Sequence, residues 1–192
     1  MPLAYSQGFN PHPILSLACP RPVGVAARDD LAVIELTEPI GPEELLARLN
    51  RHVPEGMRFH RARPLDRTER PRPRRVRYEW PIAPGRREAL RRKVREFRLA
   101  ARWPLERPHR PKRRRSNAPP RQLELKTLVP EISVEGDTLS WTLAPAGDLW
   151  ARPAEVLDAL GLDGQVDLAD AVRAEVDYGL ADAPPPSAEP PS

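Results

Sequence analysis

Residues 76–97 read "VRYEWPIAPGRREALRRKVREF", and the spacing of their apolar side chains changes halfway along. Over 76–83 apolar and polar residues alternate, the period of a strand with one face toward a core. Over 86–100, Leu90, Val94 and Phe97 fall at i, i+4 and i+7, which predicts an amphipathic helix. Downstream, "LELKTLV" (123–129) is strand-like. "ISVEGDTLSWTL" (132–143) predicts a hairpin that turns at Gly136-Asp137, with Leu139, Trp141 and Leu143 on one face. Pro153 opens a helix carrying Val156, Leu157 and Leu160, Gly161 closes it, and "AVRAEVDYG" (171–179) alternates as a last strand. Strand, helix, strands, helix, strand is the order of a ferredoxin-like split βαβ unit.

Upstream, "ILSLA" (14–18) and "LAVIELT" (31–37) predict short strands. Pro42 suits a first helical position and Glu43 and Glu44 suit the positive helix start. Leu45, Leu46, Leu49 and Val53 form the stripe, and Pro54 with Gly56 ends it. "MRFHRARPL" (57–65) reads as another strand. The expected fold is therefore α+β, two tandem ferredoxin-like units of which the first is N-terminally truncated. The first covers 1–65, a basic proline-rich linker "DRTERPRPRR" covers 66–75, and the second covers 76–180. Residues 181–192, proline-rich and without an apolar pattern, are expected to be a disordered tail.

Composition narrows the class of function. No apolar run approaches the roughly 18–20 residues that span a bilayer, and no basic-then-apolar leader opens the chain, so no membrane partner and a cytoplasmic location are expected. A single cysteine, Cys19, excludes an internal disulfide framework. The four histidines are scattered and no metal-ligand spacing occurs, so neither a metal nor another cofactor is expected. Charge is unevenly placed. Residues 58–121 hold 24 of the 31 Lys and Arg against 6 acidic residues, whereas residues 122–192 hold 3 against 14. Positive charge gathered into one third of a chain makes a local field that attracts polyanions whatever the net charge.

Two stretches carry candidate chemistry. In "YSQGFNPHP" (5–13), Gly8 permits close backbone approach, and Pro11 and Pro13 hold Asn10 and His12 extended. Tyr5 and Phe9 suit stacking on bases, Gln7 and Asn10 suit a base edge, and His12 suits a phosphate contact or proton transfer near neutral pH. The plainer alternative is that Ser6 and Asn10 cap turns and both aromatics fill core. On the helix over 86–100, Arg87, Arg91, Arg95 and Arg98 share one stripe, and with Arg113, Arg114 and Arg115 of the following basic loop (102–121) they form an anion-binding candidate. The alternative there is an ordinary solvated face. Cys19, between a strand and Pro20, reads as a small packed hydrophobe.

"PLAYSQGFNPHP", followed by a strand and "RPVGV" (21–25), resembles the radical-SAM-associated domain-of-unknown-function family. So do "ELTEPIGPEELLARLN" (35–50), "LELKTLVPEI" (123–132) and "ARPAEVLDALGL" (151–162), and the resemblance covers residues 1 to about 179. Members are encoded beside, or fused to, cobalamin-binding radical SAM proteins, and the resemblance implies such a partner. Family members usually begin with a strand, a turn and a helix before this loop. Met1 stands at what would be an interior position, and Ile14 replaces a residue that is often Lys or Arg. A start assigned too late or a truncated gene is the expectation. An in-frame stop codon a few codons upstream would refute the former.

One cysteine cannot supply the three-cysteine iron–sulfur ligation of a radical SAM enzyme. The leading expectation is a non-catalytic RNA-binding accessory factor in RNA or ribosome modification. The alternatives are an RNA-modifying or RNA-processing enzyme with His12 as acid/base aided by Asn10 or Tyr5, and a protein adaptor for a radical SAM partner.

Overall fold

A computed structural model describes residues 1–66, 68–108, 120–164 and 166–180. In chain order its elements are β1 (Leu15–Leu17), β2 (Ala26–Ala27), β3 (Ala32–Ile34), α1 (Pro42–Asn50), β4 (Arg75–Pro81), α2 (Arg87–Leu99), β5 (Pro104–Arg107), β6 (Arg121–Glu124), α3 (Leu125–Leu128), β7 (Glu131–Glu135), β8 (Thr138–Leu143), α4 (Pro153–Ala159) and β9 (Val172–Asp177). The class is α+β, with four helices and several sheets. The chain divides into two units. The first is Met1–Cys19 with Leu31–Pro71, and the second is Pro20–Asp30 with Arg72–Ser192. The passage at Pro71–Arg72 falls inside the proline-rich stretch 66–75.

In the first unit β1 and β3 pair antiparallel, with Leu15 opposite Ile34 and Leu17 opposite Ala32. Isolated bridges join Leu3 to Leu36 and Tyr5 to Pro13. Among the described residues no side chain of this unit is buried, and Ile14, Leu15 and Leu17 are exposed. Residues 57–65 do not form the expected strand. The Asn50 side chain takes the place of a neighbouring strand there: its Nδ2 donates to the Phe59 carbonyl at 2.9 Å and its Oδ1 accepts from the Phe59 N–H at 2.8 Å. One side-chain amide thus satisfies a backbone pair that a ladder would otherwise hold.

The second unit contains the buried core. Its main sheet runs β2-β9-β4-β8-β7. β4 is antiparallel to both β8 and β9, β8 is antiparallel to β7, and only β2 pairs in parallel, on β9. Val76, Tyr78 and Trp80 on β4 face Leu143, Trp141 and Leu139 on β8, and all six are buried. The Tyr78 and Trp141 rings stack at 5.4 Å with 13° between planes. Leu90, Val94 and Phe97, the whole apolar stripe of α2, are buried in the same core. Each such side chain contributes about 1.5–3 kcal/mol by leaving water. Val156 and Leu157 of α4 complete it. Beyond α4, Gly161 takes φ 80°, and the Leu162 N–H returns to the Leu157 carbonyl, a left-handed stop that glycine adopts cheaply.

Two expectations change here. "LELKTLV" is not one strand: β6 ends at Glu124 and Leu125–Leu128 form the short helix α3. Leu125 and Leu128 are buried three residues apart, a helical rather than an alternating spacing. The span 102–121 is not wholly loop, because β5 and β6 pair antiparallel from Pro104↔Glu124 to Arg107↔Arg121. The predicted tail and most of the predicted basic loop lie outside the described residues.

Candidate functional site: a braced loop and a basic helix face

The loop at 5–13 belongs to the first unit and is closed at its neck by two residues. The Ser6 N–H donates to the His12 carbonyl at 2.9 Å, and the His12 N–H donates to Ser6 Oγ at 3.2 Å. Ser6 Oγ also lies 3.0 Å from His12 Nδ1, which sits 3.4 Å from the Asn10 carbonyl. These contacts fix the imidazole by its Nδ1 side. Among the described residues Nε2 has no partner, and no carboxylate forms an ion pair with the ring. Ser6 does brace a turn, as the plainer reading held, but the aromatics are not core. Phe9 is 104% exposed, Tyr5 is 52% exposed, and Gln7 and Asn10 are exposed as well. The loop thus presents two aromatic rings, two amides and one imidazole to solvent.

The second candidate lies on α2, whose 13 residues carry six basic and two acidic side chains. Beside its buried stripe, the four predicted arginines fare differently. Arg87 is held by Asp137 at the β7–β8 turn. Arg91 pairs with Glu88 at 3.0 Å. Arg95 and Arg98 are exposed and meet no acidic partner among the described residues. Glu96 is shared by Lys93 at 2.8 Å and Arg92 at 4.0 Å, and the Lys93 hydrogen bond holds its carboxyl below the usual glutamate range. Arg113, Arg114 and Arg115 lie outside the described residues.

What positions this face was not visible in the sequence. Lys126, on α3, sends Nζ to the C-terminal end of α2, donating to the carbonyls of Phe97 at 2.9 Å and Arg98 at 3.1 Å. The same ammonium lies 5.0 Å from the centre of the Phe97 ring. A cation there offsets the negative end of the helix dipole and satisfies carbonyls left open by the last turn. Glu124 holds α3 in place by accepting from the Trp103 N–H at 2.6 Å and the Lys126 N–H at 3.3 Å. The Trp103 N–H above all, with Lys126 N–H and Arg102 adding to it, pulls the Glu124 carboxyl below its ordinary range, although burial opposes this.

Among the described residues no three His, Cys, Asp or Glu side chains gather to hold a metal ion. Cys19 is half-buried. A cleft of about 240 Å³ in the second unit is lined by Arg86, Leu90, Leu160, Asp163 and Asp167, and Arg86 pairs with Asp167 there at 3.0 Å. No helix among the described residues is long and apolar enough to cross a membrane.

An α+β protein with an exposed, braced loop in one unit and a cationic helix face in the other is thus the class defined by fold and surface. Residues 1–147 match the model of a bacterial family described as "uncharacterized protein conserved in bacteria (DUF2344)", and the chain belongs to that family. No curated protein and no solved structure matches it.

Proposed function

We propose that this protein is a non-catalytic RNA-binding accessory factor in RNA or ribosome modification, working beside a cobalamin-binding radical SAM protein. The observation that carries the reading is the exposed face of α2, where Arg95 and Arg98 form no ion pair among the described residues in a helix of net positive charge. Arg28, Arg75, Arg77, Arg86 and Arg102 of this unit are each matched by a carboxylate. A pair left unmatched beside Arg91 and Arg92 favours an external polyanion. Helix arginines hold phosphates, and the loop residues Tyr5, Gln7, Phe9, Asn10 and His12 supply the base-facing contacts. The radical SAM partner comes from the sequence resemblance alone.

At the level of fold, we read the second unit as ferredoxin-like. The order β9-β4-β8-β7, with α2 after β4 and α4 before β9, supports that reading. We read the first unit as an incomplete relative of it, on the succession β1, β3, α1.

The test is UV crosslinking in the native host with a C-terminally tagged chromosomal copy, followed by sequencing of bound RNA and identification of co-purified protein. A defined RNA enriched over background, recovered together with a radical SAM protein, is the expected result. Partners without RNA would replace this reading with an adaptor.

A further inference from the structure

We propose that the α2 face of the second unit takes paired RNA, gripping the sugar–phosphate backbone of a duplex and reading no base. This inference rests on the RNA reading above and narrows its ligand.

The argument starts from the aromatic side chains. Proteins that hold single strands offer aromatic faces on which successive bases stack. Among the described residues of the second unit no aromatic side chain is exposed. Tyr78, Trp80, Phe97 and Trp141 are buried, and the others are half-buried. Among its described residues the unit therefore offers no fully exposed ring on which a base could stack.

The sheet offers no alternative. In sheet-type RNA-binding modules, single strands lie across the strands on stacked aromatics. Here the side of β4 that alternates with the buried Val76, Tyr78 and Trp80 carries Arg75, Arg77 and Glu79. Across from them on β8 stand Thr142 opposite Arg77 and Ser140 opposite Glu79. Glu79 holds Arg28 at 2.7 Å and Arg77 at 3.5 Å, so the cations nearest the sheet centre are already engaged and a carboxylate sits among them. A phosphate approaching there meets a neutralised site.

The helix offers a different surface. Arg95 and Arg98 lie about 4.5 Å apart along one side of a rigid rod, and Arg91, which pairs with Glu88 at 3.0 Å, lies about 6 Å before Arg95 on the same side. Guanidinium groups match phosphate oxygens two at a time, and a straight row of them suits a backbone that is itself held straight. A duplex provides that, and its two strands double the negative charge per unit length over a single strand. Side chains cannot read bases in the deep, narrow major groove of paired RNA, so recognition there proceeds through backbone and shape. A face with arginines and no aromatics fits that mode.

The experiment uses the full chain with two synthetic RNAs, a blunt duplex of about 16 base pairs and an unstructured oligouridine of the same nucleotide count. Affinity is measured by fluorescence anisotropy across a salt series. The duplex is expected to bind at least about tenfold more tightly. Arg95→Ala with Arg98→Ala is expected to remove that advantage and to flatten the log–log salt slope by about 1.8, or about 0.9 for each phosphate no longer neutralised. Arg95→Lys with Arg98→Lys, which keeps both charges but not the two-pronged geometry, is expected to keep the salt slope while binding the duplex more weakly. Equal or tighter binding of oligouridine overturns this inference and leaves the RNA reading standing. An unchanged duplex affinity in the double alanine variant overturns the assignment to α2. Failure to bind either RNA at low salt overturns the RNA reading itself.

Discussion

Glu155 Oε1 and Oε2 each lie 2.6 Å from a guanidinium nitrogen of Arg107, and Oε2 also accepts from the Arg152 N–H at 2.7 Å. Arg107 in turn donates to the Trp150 carbonyl at 2.8 Å. The end of β5 is thereby fastened to the start of α4. Burial pushes the Glu155 carboxyl up, but the Arg107 and Arg152 hydrogen bonds and the guanidinium charges outweigh it, so the group sits below its ordinary range. A depressed carboxylate stabilises the fold above its unfolded-state value, and that contribution is lost as pH falls through the folded one. Glu155→Gln is therefore expected to cost about 3 kcal/mol at neutral pH. The gap from the unsubstituted protein narrows as pH falls below the usual glutamate range and closes below the depressed folded-state value, where both side chains are neutral. Urea denaturation at pH 7 and pH 3 checks this, and a gap of the same size at both would contradict it. Such a pair is invisible in sequence, because 48 residues separate its members and no spacing rule links them. The Ser6–His12 brace was half legible: the turn-forming character of Ser6 could be read, its grip on the imidazole could not.

Elements were legible where one period ran unbroken. The α2 stripe and the Gly136-Asp137 hairpin follow from spacing and turn chemistry, and β4 and β9 from alternation. Elements failed to declare themselves where they are shorter than the period that reveals them. β2 has two residues, α3 has four, and β5 opens on a proline amid arginines. The strand expected at 57–65 had the right alternation but no neighbour to pair with, since Asn50 already occupied its backbone. The cap on α2 is the element-scale feature with the clearest consequence. Lys126→Met keeps the length of the side chain and removes the ammonium, and it is expected to cost about 1 kcal/mol. Hydrogen exchange should rise first at the last turn of α2. Uniform protection along the helix in the variant would show that Lys126 does not hold that end.

At the scale of the whole molecule the two units differ in how much they bury. Every buried apolar residue described belongs to the second, from Val25 to Ala174. Local opening costs least where little apolar packing must be broken. Amides of β1, β3 and α1 are accordingly expected to exchange well before those of β4 and β8, in a step separate from global unfolding. Native-state hydrogen exchange followed by mass spectrometry tests this, and a single shared exchange rate for both units would refute it. Composition and charge foretold the contrast between a basic middle and an acidic end. They did not foretell that residues 20–30 would leave the first unit's stretch of sequence and join the second.

That excursion sets a limit on how the gene can change. Val25 enters the second unit's core, β2 extends its sheet, and Asp30 pairs with Arg173, whose side chain is 1% exposed. A hybrid spliced from two relatives at Pro71–Arg72 would bring a foreign 20–30 to this sheet edge. Any mismatch at Asp30 would strip a carboxylate from a buried guanidinium, a loss of about 3 kcal/mol. Both halves of the gene thus encode part of the second unit, through the eleven residues 20–30. Selection is then expected to carry them together, with no viable recombination joint between them.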